Sequence, residues 1–329
     1  MIATRVVIDA PEALRIERFD LPVRPEPGWA RIRTRAVGIC GSDVHVLAGH
    51  HPFVRYPVYP GHELVGEVEA VGDDATVSDW VGRRVILEPG LSCGACRTCQ
   101  RGASHLCESL RVMGFQAPGG MAERFDAPLD RLHALPDGIA TEHGALVEPL
   151  AVATRAIRAA PTLDGADVLV IGAGPIGVLC ALVARADGAT VVVVDRDAER
   201  RALATDAFGL ATAATASADA FDVVLECVGV AQALRAGVQA ARKGGTILVI
   251  GVHGHDASLP VGLIQDRELV LRGTLMYQRD DVVRAITLLA AGAVDPAPLI
   301  GARRPLGRAD EAYALARQGG AILKVLLLP

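Results

Sequence analysis

The chain has 329 residues, of which 51% are hydrophobic and 22% charged, and a formal net charge of −5. That length suits two domains, the apolar share supports a packed core and excludes disorder, and no Lys/Arg block points to nucleic acid or an anionic membrane surface. No apolar run reaches the roughly 18–20 residues of a membrane span, and Asp9, Glu12 and Glu17 break the stretch where a signal peptide needs an apolar centre, so the cytoplasm is the expected compartment.

Residues 1 to about 150 read as short strands broken by Gly and Pro. Ala30–Val37 alternates Arg31, Arg33 and Arg35 with Ile32, Thr34 and Ala36, the period of a half-buried strand. Leu64–Val71 and Arg84–Leu87 read the same way, with Pro-rich turns at Pro22–Pro27 and Pro52–Pro60. Near Glu148 the texture changes. Leu150–Ala160 is Ala-rich and helical. Strands at Val168–Ile171, Thr190–Val194, Val223–Glu226 and Thr246–Ile250 then alternate with helices at Pro175–Ala186, Ala198–Ala207 and Val230–Ala241. Such alternation predicts a doubly wound parallel sheet, an α/β domain. Leu269–Leu275 adds a strand. Helices at Asp281–Ala291 and Arg308–Gln318 and a strand at Ile322–Leu328 form a tail expected to return to the first domain.

Seven cysteines are present, and Cys93, Cys96, Cys99 and Cys107 crowd into one short stretch. In a long chain of a reducing compartment this reads as metal binding rather than disulfides. Four thiolates close a tetrahedral shell, which suits a structural zinc; an iron–sulfur cluster is the alternative for such spacing. Cys180 and Cys227 sit in apolar runs and read as core residues. Gly172-Ala173-Gly174-Pro175-Ile176-Gly177 follows a predicted strand and opens a predicted helix, the context a dinucleotide fingerprint requires. Asp195 ends the next strand, where a carboxylate accepts from the ribose hydroxyls of NAD and repels the 2′-phosphate of NADP. Arg196, Arg200 and Arg201 follow it and leave room for NADP.

Gly38-Ile39-Cys40-Gly41-Ser42-Asp43-Val44-His45, Gly61-His62-Glu63, the Cys93–Cys107 lobe, Glu148-Pro149-Leu150 and the glycine fingerprint occur in that order along the chain. Together they resemble the zinc-containing medium-chain dehydrogenases/reductases, most of all the branch of sorbitol, butanediol and threonine dehydrogenases. The resemblance implies a GroES-like β-rich catalytic domain, residues 1–148 completed by 278–329, and a Rossmann NAD-binding domain, residues 149–277. It implies two zincs per chain, one structural and one catalytic. Cys40, His62 and Glu148 resemble the catalytic ligands, Glu63 the neighbouring carboxylate, Ser42 the relay hydroxyl and His45 the outer relay imidazole. His50, His51, Phe53, Phe115 and Met276 are candidates to line the pocket.

Two departures from the branch stand out: the 209–222 segment is short, and Met276 stands where sorbitol-type enzymes tend to carry Arg. The implied reaction is hydride transfer between a secondary alcohol or polyol and NAD. The rivals are a biosynthetic ketone or aldehyde reductase and a non-catalytic NAD-binding member. Leu269–Leu275 resembles the edge strand that relatives pair across a two-fold axis, so a homodimer or homotetramer is expected.

Overall fold

The period-two runs of the first half do form strands. In the computed structural model, which describes residues 1–72 and 79–329, they are β1 (Ile2–Ala10), β2 (Ala13–Asp20) and β3 (Trp29–Ile39), then helix α1 (Gly41–Leu47), β4 (Glu63–Val71) and β5 (Arg84–Leu87). There follow β6 (Gly90–Leu91), the one-turn helix α2 (Arg97–Gln100), β7 (Arg111–Val112), β8 (Arg124–Pro128), β9 (Leu132–Ala134) and helix α3 (Val147–Ala159). The alternating stretch is β10 (Asp167–Ile171), α4 (Pro175–Ala186), β11 (Thr190–Val194), α5 (Ala198–Phe208), β12 (Ala211–Ala213) and β13 (Phe221–Glu226). It continues through α6 (Ala231–Ala240), β14 (Ala241–Val249), α7 (Val261–Asp266) and β15 (Val270–Gly273). The tail is α8 (Arg279–Ala290), β16 (Ile300–Pro305), α9 (Ala309–Gln318) and β17 (Lys324–Leu328).

The chain divides into two units. The first holds residues 1–148, 278–290 and 299–329; the second holds 149–277 and 291–298. Residues 291–298, expected in the first, therefore lie with the second.

The first unit is built on a seven-stranded sheet ordered β16-β17-β3-β4-β5-β9, with β8 also paired to β3. Ile8, Ile32, Val37, Leu64, Val68, Val85, Tyr313 and Leu327 pack its core. The alternation in β3 misleads at one position. Arg31, expected on the solvent face, is 1% exposed. Its guanidinium forks onto Asp126 of β8, Nε to Oδ1 at 2.8 Å and Nη2 to Oδ2 at 2.9 Å. Asp126 is directly opposite Arg31 on β8, its neighbour in the sheet, and a buried cation is tolerated only with such a bidentate partner.

In the second unit six parallel strands take the order β12-β11-β10-β13-β14-β15. The order of the strands reverses between β10 and β13, and ligands of such sheets bind beyond the carboxyl ends of the strands at that point. Leu169, Val224, Val238 and Ile247 fill the layer between the sheet and α6. The short segment after Gly209 accommodates only the three residues of β12 and a turn before β13. Cys180 is a core residue as read, whereas Cys227 is only partly buried, because it stands in the turn that leaves β13. No helix among the described residues is long and apolar enough to cross a membrane.

Candidate functional site

Sheet register assembles the first cluster. Gly38 on β3 is opposite Glu63 on β4, and Ile39 is opposite Val325 on β17. Cys40, the residue that caps α1, is thus carried next to His62 and Glu63, with Lys324 arriving from the far end of the chain. Donor atoms of Cys40, His62 and Glu63 all lie within 4.8 Å of one another. Gly38 is required for this approach, since a Cβ there would sit 2.3 Å from Glu63 Oε2.

Asp43, in the first turn of α1, orders the cluster. Its Oδ2 accepts the Cys40 amide at 2.9 Å, and its Oδ1 lies 3.7 Å from His62 Nδ1. With Nδ1 turned to Asp43, the other ring nitrogen is left for Cys40 and a shared ion, the arrangement in which a carboxylate sets the tautomer of a metal-binding imidazole. Burial pulls the His62 pKa down, but Asp43, Cys40 and Glu148 outweigh it and hold the value well above the usual imidazole range. A soft thiolate, an imidazole and a carboxylate converging in a buried place is a donor set that suits zinc. His62 Nδ1 and Asp43 Oδ1 are buried without a hydrogen-bond partner, and the acidic groups around His62 favour a positive charge there.

Glu63 has a partner that sequence reasoning missed. Lys324 Nζ donates to both carboxylate oxygens at 2.6 Å, and both side chains are buried. Burial works to lower the Lys324 pKa; Glu63, Cys40 and Glu148 together raise it, so the ammonium stays charged. Glu148 differs from expectation. It is buried in the first turn of α3 and its charge acts on His62 and Lys324, yet it stands outside the triangle whose third corner is Glu63. The reason is topological: Glu63 shares the β3–β4 ladder with the other donors, and Glu148 rides on a helix. Ser42 is half-buried on α1, while His45, in the last turn, is exposed to water.

The second cluster lies between β6 and β7, which pair as a two-residue ribbon. Cys93, Cys96, Cys99 and Cys107 bring their sulfurs within 4.8 Å of one another, and none is in a disulfide. Amides of Cys93 and Cys96 donate to Cys107 and Cys93 sulfurs at 3.3 Å. The Thr98 hydroxyl, with the amides of Glu108 and Cys99, lowers the Cys96 thiol to about 5. Desolvation and hydrogen bonds from Cys96 and Cys107 push Cys99 up to about 12. Four sulfurs this close form a closed shell, with no corner for a substrate.

The second unit carries the glycine cradle. Gly172 has φ +104°, a conformation that suits only glycine, and a Cβ on Gly177 would lie 1.8 Å from Gly172 O. Nothing stands within 4 Å of a Cβ built on Gly174, which leaves the face of the turn open to a pyrophosphate at the α4 N-terminus. Pro175 and Ile176 open that helix. Asp195 accepts from the Ala173 amide at 2.8 Å and the Asp197 amide at 2.9 Å, so the carboxylate is fixed beside the cradle. Arg196 is exposed and Arg200 half-buried one turn on; Arg201 donates to Asp195 O at 2.7 Å.

Sequence reasoning also missed Glu226. It is fully buried at the end of β13, accepts the Val228 and Gly229 amides at 2.8 Å each, and pairs with His253 at 3.0 Å. The signal was available in the acid-Cys-Val-Gly sequence that closes a strand.

A thiolate–imidazole–carboxylate cluster on one unit and a dinucleotide cradle on the other define a metal-dependent nicotinamide dehydrogenase. The comparisons agree. Residues 26–137 match the alcohol dehydrogenase GroES-like domain, and residues 175–291 match the zinc-binding dehydrogenase domain. The 2-dehydro-3-deoxy-L-galactonate 5-dehydrogenase of Pseudoalteromonas atlantica is 34% identical, covering 89% of each chain. The D-altritol 5-dehydrogenase of Agrobacterium fabrum is 36% identical, covering 87% of each. The crystal structure of a zinc-binding dehydrogenase from Sinorhizobium meliloti, bound to NADP, superposes with a TM-score of 0.92 at 31% identity over the whole of both chains.

The chain belongs to the zinc-binding alcohol dehydrogenases of the medium-chain dehydrogenase/reductase superfamily. It is a zinc-binding dehydrogenase, an oxidoreductase acting on CH–OH groups.

Proposed function

We propose that this enzyme oxidises a secondary hydroxyl of a polyol or sugar acid with NAD. The observation that carries the reading is the Cys40–His62–Glu63 cluster, with Glu148 close enough for its charge to reach His62. In this reading Cys40, His62 and Glu148 hold the catalytic zinc, with Glu63, already paired with Lys324, as the neighbouring carboxylate. Cys93, Cys96, Cys99 and Cys107 hold a structural zinc. When bound, zinc supplies Lewis acidity that lets an alcohol shed its proton near neutral pH, and NAD supplies the hydride acceptor. Ser42 takes the proton at its hydroxyl, and His45, exposed at the end of α1, exchanges it with water. The relatives that act on a named galactonate and on altritol favour a polyhydroxylated substrate over a simple alcohol.

Gly172, Gly174, Pro175, Ile176 and Gly177 cradle the pyrophosphate, and Asp195 reads the ribose, with Arg196 and Arg200 at its rim. Four free thiols in one lobe fit a reducing compartment, which favours the cytoplasm. Strand β15 ends its sheet, and among the described residues no strand covers its outer edge. A second copy adding its own β15 would continue the sheet and give a homo-oligomer.

The test is a panel of hexitols, hexonates and secondary alcohols with NAD, followed by NADH absorbance, with and without a zinc chelator. A chelator-sensitive signal on a polyol or sugar acid is the expected result. Cys40→Ser abolishes it and leaves NAD binding intact; appreciable residual turnover overturns the role of Cys40.

A further inference from the structure

Beside the metal-binding cluster stands an aromatic column. Phe115, in the loop after β7, packs on His62 with ring centroids 4.8 Å apart. Its other neighbour is the His51 ring, stacked at 4.8 Å and 26°. Phe53 meets His51 edge-on at 6.2 Å. One phenyl ring is therefore flanked by the imidazole of the cluster and by a second imidazole that no role yet explains. Gln116 locks the loop: its Nε2 donates to Phe53 O at 2.9 Å and its Oε1 accepts the Val112 amide at 2.9 Å.

The tautomer of His51 follows from its own hydrogen bond. The Phe53 amide donates to His51 Nδ1 at 3.4 Å. A nitrogen that accepts carries no proton, so in the neutral ring the proton resides on Nε2. The cation would lose this bond. Desolvation, with the charges of His45 and His62, also lowers the His51 pKa, in the direction that favours the neutral ring. The ring is half-buried, so it is not closed off from a bound molecule.

We propose that His51 is a specificity-determining residue whose Nε2–H donates to an oxygen of the substrate several carbons away from the oxidised carbinol, the width of the Phe115 ring separating His51 from His62. This inference rests on the polyol or sugar-acid reading above and narrows it. The substrate carries a distal hydroxyl or carboxylate oxygen that a neutral donor can meet. A site built to hydrogen-bond a substrate oxygen discriminates against an analogue that lacks it, because the donor is then left unpaired. Simple secondary alcohols reach the cluster and not His51.

The experiment compares wild type, His51→Phe and His51→Gln. It measures kcat/KM for a hexitol, a hexonate and butan-2-ol with NAD, and the dissociation constant of the hexitol from the NADH complex by calorimetry. In His51→Phe the ratio of kcat/KM for the polyhydroxylated substrate over butan-2-ol falls roughly tenfold, the loss of about one hydrogen bond, and hexitol binding weakens by the same factor. His51→Gln, whose amide can both accept from Phe53 and donate outward, keeps most of the ratio. The arm that responds, hexitol or hexonate, shows whether the oxygen is a hydroxyl or a carboxylate.

An unchanged ratio in His51→Phe overturns the assignment, and so does a His51→Gln variant as impaired as His51→Phe, which marks a purely structural ring. A wild-type enzyme that oxidises butan-2-ol but neither a hexitol nor a hexonate overturns the substrate class itself and the inference with it.

Discussion

Lys324 and Glu63 lock each other in place beneath the metal-binding cluster. Removing one member of a buried ion pair leaves an uncompensated charge and costs about 3–5 kcal/mol, while removing both costs far less. Lys324→Met therefore lowers the unfolding midpoint sharply, and Glu63→Gln with Lys324→Met recovers much of it; equal midpoints for the single and double variants would show that the pair does not couple. Asp195 is argued at the same scale. Its carboxylate is held by two backbone amides, so its charge is fixed where a 2′-phosphate would come. Asp195→Ala raises the Kd of NAD relative to that of NADP by roughly tenfold, measured by fluorescence titration, and an unchanged ratio refutes its part in cofactor choice. Single residues also show where sequence reasoning stops. Arg31 obeys the alternation of a half-exposed strand and is nevertheless buried, and the carboxylate that makes this tolerable, Asp126, arrives on β8 some 95 residues later in the chain. A local pattern carries no information about what packs over it.

Among the elements, the Cys93–Cys107 lobe has little packing to hold it. It has a one-turn helix and a two-residue ribbon, and Cys107 is the only buried member of its four cysteines. Cys96→Ser lowers the zinc content by one ion per chain and lowers the thermal midpoint; a full zinc complement in the variant refutes the structural site. This lobe was legible as a motif because its ligands are close in sequence. The same holds for the glycine turn: Gly172, Gly174 and Gly177 act on one another's backbone.

At the scale of the molecule, β15 exposes an unpaired edge with Val270 51% exposed. Val270→Lys places a charge on the face that a second copy would pair with, and negative design of this kind disrupts edge-to-edge association. Sedimentation velocity should show a smaller species for the variant, whereas an unaltered mass would place the interface elsewhere.

What the sequence determined by itself is what short spacing encodes: the four-cysteine lobe, a dinucleotide turn and the alternation that makes a parallel sheet. Tertiary structure decided the rest. Lys324 reaches Glu63 across 261 residues, and Ile39 and Val325 meet only through sheet register. Glu63, not Glu148, completes the tight triangle, and His51 acquires its tautomer from a loop bent back on itself. The physical reason is the same in each case. Spacing sets which side chains share an element, while burial, charge pairing and hydrogen-bond direction depend on which element arrives from elsewhere in the chain.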